Sequence, residues 1–162
     1  MSEMLRKARE YESRSKGRIP QEERPVFHFS VPVGWMNDPN GFSDFLGEHH
    51  LFFQYYPYQT AWNSMHWGHA SSRDFVKWNY LPAALAPDEA YDCHGVYSGS
   101  ALVEDGQLSL YYTGNVKRTG DYDYIRTGRE SNTVRAVSVD GVQFEGKRLL
   151  MSNKDYPEDL TC

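Results

Sequence analysis

The sequence predicts an all-β protein, about two blades of a β-propeller, preceded by a short N-terminal helix. From residue 27 onward, short apolar and aromatic runs are broken by Gly, Asn, Asp and Pro, which is typical of many short antiparallel strands. Aromatic residues make up 15% of the chain, with 12 Tyr and four Trp, and such rings favour strands. An internal repeat of about four strands per unit favours propeller blades over a sandwich.

Residues 1–26 differ in composition and predict a helix followed by a linker. Residues 3–14 carry mixed charges, with Leu5, Ala8 and Tyr11 at helical spacing, so one short amphipathic helix is expected. The segment is dense in charge and has no apolar stretch, so it cannot act as a signal peptide or a membrane span. The predicted domain boundary separates this segment, 1–26, from a propeller part, 27–162.

The repeat is a seven-residue pattern, Ser-x-Asp-x-Val-x-aromatic. It occurs at residues 72–78 and again at residues 138–144. Each copy follows a hairpin whose second strand is aromatic, so a unit of hairpin, third strand, turn and fourth strand is predicted twice. Hairpin turns are expected at Glu48 and at residues 104–106. Seven apolar runs predict strands at residues 41–45, 50–55, 65–71, 96–103, 108–113, 134–138 and 147–151.

The most informative segment is residues 35–41, Trp-Met-Asn-Asp-Pro-Asn-Gly, which is predicted to form a rigid loop. Pro39 fixes its own backbone and pushes Asp38 toward extended geometry. The side chains of Asn37 and Asn40 can bond neighbouring amides. A carboxylate held in this way is costly unless it accepts hydrogen bonds or takes part in chemistry. An isolated Asn-Asp-Pro would indicate an Asx-turn between strands, but the aromatic motifs nearby favour a functional site.

Further motifs follow in the same order along the chain. Residues 52–57 read Phe-Phe-Gln-Tyr-Tyr-Pro, residues 67–70 Trp-Gly-His-Ala, residues 97–100 Tyr-Ser-Gly-Ser and residues 112–115 Tyr-Thr-Gly-Asn. Together with residues 35–41, this set resembles the β-fructofuranosidases, the invertase family (glycoside hydrolase family 32). Tyr56 stands where the family more often has Asn, and Tyr97 replaces Phe. The resemblance, from about residue 27 to the last residue, implies a five-bladed β-propeller, in agreement with the repeat.

The resemblance also implies roles for individual residues. Asp38 would be the nucleophile that attacks the anomeric carbon of a fructosyl unit in a retaining mechanism, and Asn37 would hold the fructosyl hydroxyls. The other residues assigned to the sugar pocket are Trp35, Met36, Gln54, Trp62, Tyr97 and Ser98. Gln54 could instead be a solvent-facing strand residue, and Trp62 could be a core ring. Ser98, beside a glycine, fits a strand that a ligand approaches closely.

A retaining glycosidase needs a second carboxyl group, about 5–5.5 Å from the nucleophile. In the family, a stabilising Asp lies in an Arg-Asp-Pro motif and the acid/base Glu in a Glu-Cys motif, and this sequence has neither. Asp74 and Asp140 recur with the repeat and are predicted to cap turns, Asp44 matches no motif, and Asp92 is expected near the pocket rim. The chain is therefore expected to be the N-terminal part of a longer protein and to lack the acid.

The resemblance implies a small sugar as the partner, and composition excludes others. The net charge of −5 provides no basic patch, so nucleic acid is not expected, and a phosphorylated substrate would need a local cationic pocket. No membrane partner is expected, since the charged N-terminal segment has no apolar stretch. Cys93 and Cys162 form neither a disulfide framework nor a zinc site, and the six histidines lack metal-ligand spacing. No metal or cofactor is predicted, the oligomeric state stays open, and the cytoplasm is the predicted location.

The leading hypothesis is a hydrolase that cleaves sucrose, sucrose 6-phosphate or a fructan, and the bacterial family members that act on sucrose 6-phosphate look most similar. A second hypothesis is a non-catalytic carbohydrate-binding or structural propeller fragment, which the missing acid favours. A third, an arabinanase-like or inverting propeller hydrolase, fits the fold but not the Asn-Asp-Pro-Asn-Gly motif.

Overall fold

The computed structural model describes residues 1–155, apart from the side chain of Gln21, and this part folds into two antiparallel sheets and one α-helix. Helix α1 spans Glu3–Ser15, and short 3₁₀ turns lie at Gln21–Glu23 and Asn153–Asp155. The strands are β1 (Trp35–Phe45), β2 (Glu48–Tyr56), β3 (His66–Ser72), β4 (Trp78–Leu85), β5 (Val96–Glu104), β6 (Gln107–Lys117), β7 (Arg129–Ser138) and β8 (Glu145–Met151). The sheet orders are β1-β2-β3-β4 and β5-β6-β7-β8, which confirms the predicted pair of four-stranded blades.

The first hairpin of each sheet closes through the same kind of turn. Leu46 and Gly47 have φ values of +50° and +79°, and Asp105 and Gly106 have +51° and +72°. Positive φ at both central residues is what a two-residue type I′ turn requires. The second turn falls where it is predicted, whereas Glu48 begins β2 instead of lying in the first turn.

The third and fourth strands of each sheet are joined by the repeated Ser-x-Asp turn. Asp74 Oδ1 accepts hydrogen bonds from the amides two and three residues further along, at 2.9 and 2.7 Å. Asp140 Oδ1 accepts the equivalent pair at 2.8 and 2.7 Å. These bonds lower the pKa of both carboxyl groups, because they favour the charged form. The capping role of the two aspartates and the equivalence of the two turns are confirmed.

The strands differ from the prediction in several places. β7 begins at Arg129 instead of residue 134, and β6 ends at Lys117 instead of residue 113. β1 begins at Trp35 and not at residue 41, so the Asn-Asp-Pro segment lies in a strand interrupted by two register shifts, and the expected loop is wrong. β4 is the fourth strand that the repeat predicts for the first unit, although its range is not among the seven predicted ones. It contains Pro82, which cannot donate to a ladder. Proline is tolerated here because β4 is at the edge of its sheet and the register shifts opposite it, between Trp67 and His69.

The core has two parts, one between the sheets and one between the first sheet and α1. Phe52 belongs to the first cluster, with Trp67 and with Leu110 of the second sheet. Phe53 belongs to the second cluster, with Leu5 of α1. Neighbouring residues of β2 serve different clusters because successive side chains of a strand point to opposite faces. The second sheet is thereby held on one face of the first sheet, and α1 on the other face. The predicted helix is confirmed, and it ends one residue later than expected.

Three histidines of the first sheet are buried: His50, His66 and His69. His50 Nδ1 lies 2.9 Å from His69 Nε2, and His66 Nδ1 lies 3.0 Å from the carbonyl oxygen of Ser64. Burial lowers the pKa of all three, that of His66 to about 4, because a charged imidazole is poorly solvated there. All three are therefore neutral in the folded chain at pH 7.

We expect the free energy of unfolding to fall as the pH drops below 6.5, because the unfolded chain binds protons that the buried histidines reject. For His66 the loss extends from pH 6.5 to about 4, and its slope approaches about 1.4 kcal/mol per pH unit. Burial raises the pKa of Glu12, so above pH 4.5 the folded chain binds a proton more readily there than the unfolded chain does. This contribution opposes the loss of stability caused by the histidines, and it is the same in the wild-type chain and in the variant. Urea unfolding between about pH 7.5 and 5 gives the free energy of unfolding at each pH. This free energy should depend less steeply on pH in His66→Asn than in the wild-type chain. Equal pH dependence in the two proteins would contradict the prediction.

Candidate active site

A cavity of about 360 Å³ opens at one end of the two sheets. Apart from Trp62, which lies between β2 and β3, its side chains come from the beginning of β1, β5 and β7 and the end of β2 and β6. These strand ends meet because neighbouring strands are antiparallel. The lining residues are Asn37, Asp38, Gln54, Trp62, Tyr97, Ser98, Thr113, Asn115, Arg129 and Ser131. The predicted convergence of Asp38, Gln54 and Ser98 is confirmed, and the cavity brings together Asp38 and five of the seven residues predicted to bind sugar.

The other two predicted residues, Trp35 and Met36, do not line the cavity. Trp35 Nε1 donates a hydrogen bond to Asn37 Oδ1 at 2.8 Å, so Trp35 orients a residue of the cavity wall. Met36 packs against the cluster between the first sheet and α1, on the opposite face of β1.

The alternatives for Gln54 and Trp62 are both wrong. Gln54 is only 3% exposed, so it is not a solvent-facing residue. Trp62 is 45% exposed, so it is not a core ring, and its ring centroid lies 6.0 Å from that of Tyr97 in an edge-on arrangement. The two rings form an aromatic corner at the cavity mouth.

Asp38 lies at a β-bulge. The register of β1 and β2 jumps from Asn37 to Pro39, which leaves Asp38 without a partner, and its φ is +27°. The expected extended geometry is wrong, because the bulge forces the backbone into the left-handed range. Such a conformation typically costs a non-glycine residue about 1–3 kcal/mol and is concentrated at functional sites.

The second sheet has a bulge at the equivalent position. The register of β5 and β6 jumps from Tyr97 to Gly99, which leaves Ser98 without a partner. Ser98 Oγ donates a hydrogen bond to Asp38 Oδ2 at 3.4 Å, so the two bulged residues face each other across the cavity. Because a bulge re-aims side chains, both Tyr97 and Ser98 line the cavity although they are adjacent in a strand.

Buried side chains of the first sheet hold the backbone of β5 beside Asp38. Asn40 Oδ1 accepts from the Gly99 amide at 3.2 Å, and Asn40 Nδ2 donates to the Asp38 carbonyl at 3.1 Å. Gln54 Nε2 donates to the carbonyl of residue 96 at 3.0 Å, and Trp67 Nε1 donates to that of residue 97 at 3.1 Å. A Cβ on Gly99 would lie 1.9 Å from the carbonyl oxygen of residue 111, so only glycine permits this approach.

Arg129 supplies positive charge to the cavity and was missed by the sequence analysis. Its Nη1 donates to the Tyr97 hydroxyl at 3.1 Å, and its guanidinium carbon lies 5.4 Å from the centre of the Tyr97 ring. Burial raises the pKa of Tyr97, so the hydroxyl is neutral at pH 7. The sequence predicts β7 only from residue 134, so Arg129 fell outside the predicted strand and no motif identified it.

Asp92 does not reach the cavity rim, contrary to expectation. It is fully buried, accepts a hydrogen bond from the Tyr112 hydroxyl at 2.7 Å and pairs with Lys147 Nζ at 2.8 Å. Of the residues that the structure describes, only Asp38 brings a carboxylate to the cavity lining. Within residues 1–155, no group of three or more His, Cys, Asp or Glu could hold a metal ion, and no helix has the length and apolar character to cross a membrane.

The two four-stranded antiparallel sheets are those of a β-propeller module. Residues 28–159, which are most of the chain, match the family model of the glycosyl hydrolases family 32 N-terminal domain. The chain therefore belongs to glycoside hydrolase family 32, as the sequence motifs indicate.

The chain is similar to enzymes of this family over a part of their length. It is 43% identical over 141 residues to the sucrose-6-phosphate hydrolase of Zymomonas mobilis, covering 86% of the chain and 27% of that protein. The raffinose invertase of Escherichia coli is 46% identical to it over 123 residues, which cover 75% of this chain and 25% of that protein.

Solved structures of the family share the fold. A β-fructofuranosidase from Bombyx mori has a TM-score of 0.78 and 42% identity, covering 96% of this chain and 31% of that one. A sucrose-6-phosphate hydrolase from Lactobacillus gasseri has a TM-score of 0.68 and 34% identity, and the match covers 88% of this chain and 27% of that one. The two sheets match the N-terminal part of a five-bladed β-propeller, as predicted, and the chain spans about a quarter to a third of these relatives.

We expect Asn40→Ala to destabilise the chain, because it leaves the Gly99 amide and the Asp38 carbonyl without the partner that Asn40 provides. The loss of a buried amide should lower the free energy of unfolding by about 1–3 kcal/mol. Asn79→Ala, which changes an exposed asparagine of β4, is the matched control and should stay within about 0.5 kcal/mol of wild type. Urea unfolding measures both, and equal stabilities for the two variants would contradict the prediction.

Proposed function

We propose that this chain forms the nucleophile-bearing part of a retaining glycoside hydrolase that cleaves the β-fructofuranosyl bond of sucrose 6-phosphate, sucrose or related fructosides. The observation that carries the proposal is the Asp38 carboxylate, held at a strained bulge in a cavity lined by amide and hydroxyl groups. Membership of family 32 supports fructoside hydrolysis and argues against an arabinanase-like or inverting propeller hydrolase. We also propose residues 1–26 as a helix and linker and residues 27–162 as the propeller part, since the family match begins at residue 28.

In this mechanism Asp38 attacks the anomeric carbon of the fructosyl unit, and the bond from that carbon to the leaving oxygen breaks. The leaving oxygen takes a proton from a general acid, and water then hydrolyses the fructosyl ester with that group acting as base. Ser98 donates to Asp38 Oδ2 and so orients the carboxylate, with Oδ1 left for attack. Asn37 and Gln54 supply amide groups for the fructosyl hydroxyls, and Trp62 offers a ring to the apolar face of a sugar.

The names of the relatives support a sucrose-type substrate. Proteins similar to this chain are named for the hydrolysis of sucrose 6-phosphate, and an Asp-to-Ala variant of the Bombyx mori relative was solved in complex with sucrose. Sugar is therefore the partner we propose. The cytoplasmic location stays a prediction from the sequence.

A second candidate is a carbohydrate-binding module without turnover. It is favoured by one observation: within residues 1–155, no carboxyl group other than that of Asp38 lines the cavity. A sugar that binds without bond cleavage would be its signature, whereas the enzyme hypothesis requires cleavage once a general acid is supplied.

We expect Asp38→Asn to abolish covalent catalysis while preserving the fold. The test is a hybrid enzyme in which residues 28–155 replace the matching segment of the Zymomonas mobilis relative, which supplies the remainder of the propeller. Fructose release from sucrose 6-phosphate should fall by on the order of 10⁴-fold or more in the variant hybrid, as expected when a nucleophile is lost. Asp44→Asn, which changes an exposed carboxylate at the far end of β1, is the matched control. Near-normal turnover by a folded Asp38→Asn hybrid would contradict the assignment of Asp38 as the nucleophile.

We expect the 162-residue chain alone to release fructose at least about 10²-fold more slowly than the hybrid, because general acid assistance contributes about 10²–10⁴-fold. Fructose and glucose 6-phosphate are measured after incubation with sucrose and with sucrose 6-phosphate. Turnover within about tenfold of the hybrid would mean that a carboxyl group of this chain supplies the acid. Asp92 could then do so only after breaking its ion pair with Lys147.

A further inference from the structure

Helix α1 bonds to backbone groups of β4 that the first sheet does not pair. The ladder between β3 and β4, both described in full, passes from Leu85 to Leu81 and skips Ala83. Arg9 Nε donates to the Ala83 carbonyl oxygen at 2.9 Å, and Glu12 Oε2 accepts from the Ala83 amide at 3.1 Å. Residues three apart lie on the same face of a helix, so both side chains reach one residue of the strand. α1 is therefore bonded to the edge of the first sheet as well as packed on its face.

The guanidinium of Arg9 also reaches the second sheet. Its Nη1 donates to Gln143 Oε1 at 2.9 Å, and its Nη2 donates to the Val142 carbonyl oxygen at 3.3 Å. Both acceptors lie in the Ser-x-Asp turn that joins β7 and β8. A guanidinium holds its N–H groups in a fixed plane, so acceptors bonded to different nitrogens are kept at a fixed separation. One cation of α1 thus bridges the two blades.

The first turn of α1 makes a second connection to the second sheet. Ser2 caps the helix, since its Oγ accepts from the Leu5 amide at 3.2 Å, and the same hydroxyl donates to Asp88 Oδ2. Asp88 lies in the segment between the two sheets and pairs with Lys147 of β8. The N-terminal end of α1 is therefore linked through one carboxylate to the last strand of the second sheet.

These links lie at the edge of the two sheets opposite to the candidate site. The bonds from Asn40, Gln54 and Trp67 hold β5, the first strand of the second sheet, against the first sheet. α1 instead connects β4 with β8 and the turn before it, and β4 and β8 are the last strands of the two sheets. Two sheets that are joined along one edge can turn about that edge, whereas a second link at the other edge resists the turn. The contacts of α1 therefore limit changes in the angle between the blades.

We propose that α1 is a clasp that fixes the angle between the two blades, and that Arg9 acts through it as a positioning residue for Asp38 and Ser98. Asp38 belongs to β1 and Ser98 to β5, so the distance between their side chains depends on that angle. Their hydrogen bond is 3.4 Å long, near the upper limit for such a bond, so a small turn of the blades breaks it. Arg9 is outside the cavity lining, which separates its role from a direct contact with a substrate.

The test follows hydrogen exchange in the isotope-labelled 162-residue chain by NMR. The reporter is Trp67 Nε1–H, which bonds the carbonyl oxygen of Tyr97, the residue before Ser98. The backbone amides of Phe52 and Phe53, which pair within the first sheet, are the reference. A change that only lowers overall stability accelerates both kinds of exchange by the same factor, because global unfolding exposes both. Looser blades expose the Trp67 indole while the first sheet stays paired.

Three variants separate the clasp from a general contribution to stability. Arg9→Met keeps a long side chain but removes every N–H donor, so Trp67 exchange should accelerate about tenfold more than that of the reference amides, the scale of one hydrogen bond to a charged group. Arg9→Lys keeps the charge, but one ammonium does not span both sheets, so a smaller acceleration is expected. Arg6→Met is the matched control, because Arg6 is exposed and pairs with Glu10 of the same helix, and the wild-type rates should persist.

The remaining outcomes would overturn the inference. Equal acceleration of the Trp67 indole and the reference amides in Arg9→Met would mean that α1 only adds stability. Unchanged exchange in Arg9→Met, or an equal effect of Arg6→Met, would mean that the Arg9 bridge does not hold the blades. If Arg9→Met does not fold, Arg9→Lys decides by the same comparison. No substrate enters the measurement, so its result leaves the proposed function to its own test.

Discussion

The candidate site depends on the hydrogen bonds by which buried side chains of the first sheet hold the backbone of β5. Asn40, Gln54 and Trp67 are almost completely buried, and each must find a partner because an unbonded buried polar group costs about 1–3 kcal/mol. Their partners are three backbone groups of β5, at residues 99, 96 and 97. Since each bond has a fixed length and direction, together they set the position of the second sheet against the first. The distance between Asp38 and Ser98 is a consequence of that constraint.

The same constraint explains why the two bulges face each other. Asp38 and Ser98 are the unpaired residues of β1 and β5, at equivalent places in the two blades. A bulge in an isolated hairpin would simply bend the strand. Here the Gly99 amide that follows the second bulge bonds to Asn40, which also bonds the Asp38 carbonyl. Asn40 thus connects the backbone at Asp38 to the backbone that follows Ser98. Because the two blades repeat, each contributes one bulge to the cavity lining.

Much of this architecture could be predicted from the sequence because it is local. The Ser-x-Asp turns at Asp74 and Asp140 are set by side chains that bond amides two and three residues away, and such patterns are visible in a sequence. The two-blade repeat was found in this way, whereas Tyr97 and Ser98 were assigned to the site by resemblance to the family's motifs. The repeat predicts the fourth strand of the first unit, but the range of β4 was not among the predicted strands. Its tolerance of Pro82 depends on its position at the edge, which is a property of the whole sheet.

The rest of the site could not be predicted because it depends on contacts between distant segments. The sequence indicated that Asp38 is constrained but gave the wrong backbone angle, since the bulge is defined only by pairing with β2. Asp92 resembled a pocket carboxylate from its place near Tyr97, yet Lys147, 55 residues further along, makes it part of a buried ion pair. Arg129 was missed because it belongs to no motif and lies before residue 134, where the sequence predicts that β7 begins.

Lys147 and Arg129 show two ways in which the second sheet holds a cation. Lys147 contacts two carboxylates, so its charge is neutralised in place and it links β8 to the segment before β5. Arg129 and Asp38 line the same cavity, and each is held there by a neutral partner. The guanidinium donates a hydrogen bond to the Tyr97 hydroxyl, and the Ser98 hydroxyl donates one to the carboxylate. Two neutral hydroxyls on consecutive residues of β5 therefore contact the two opposite charges of the cavity.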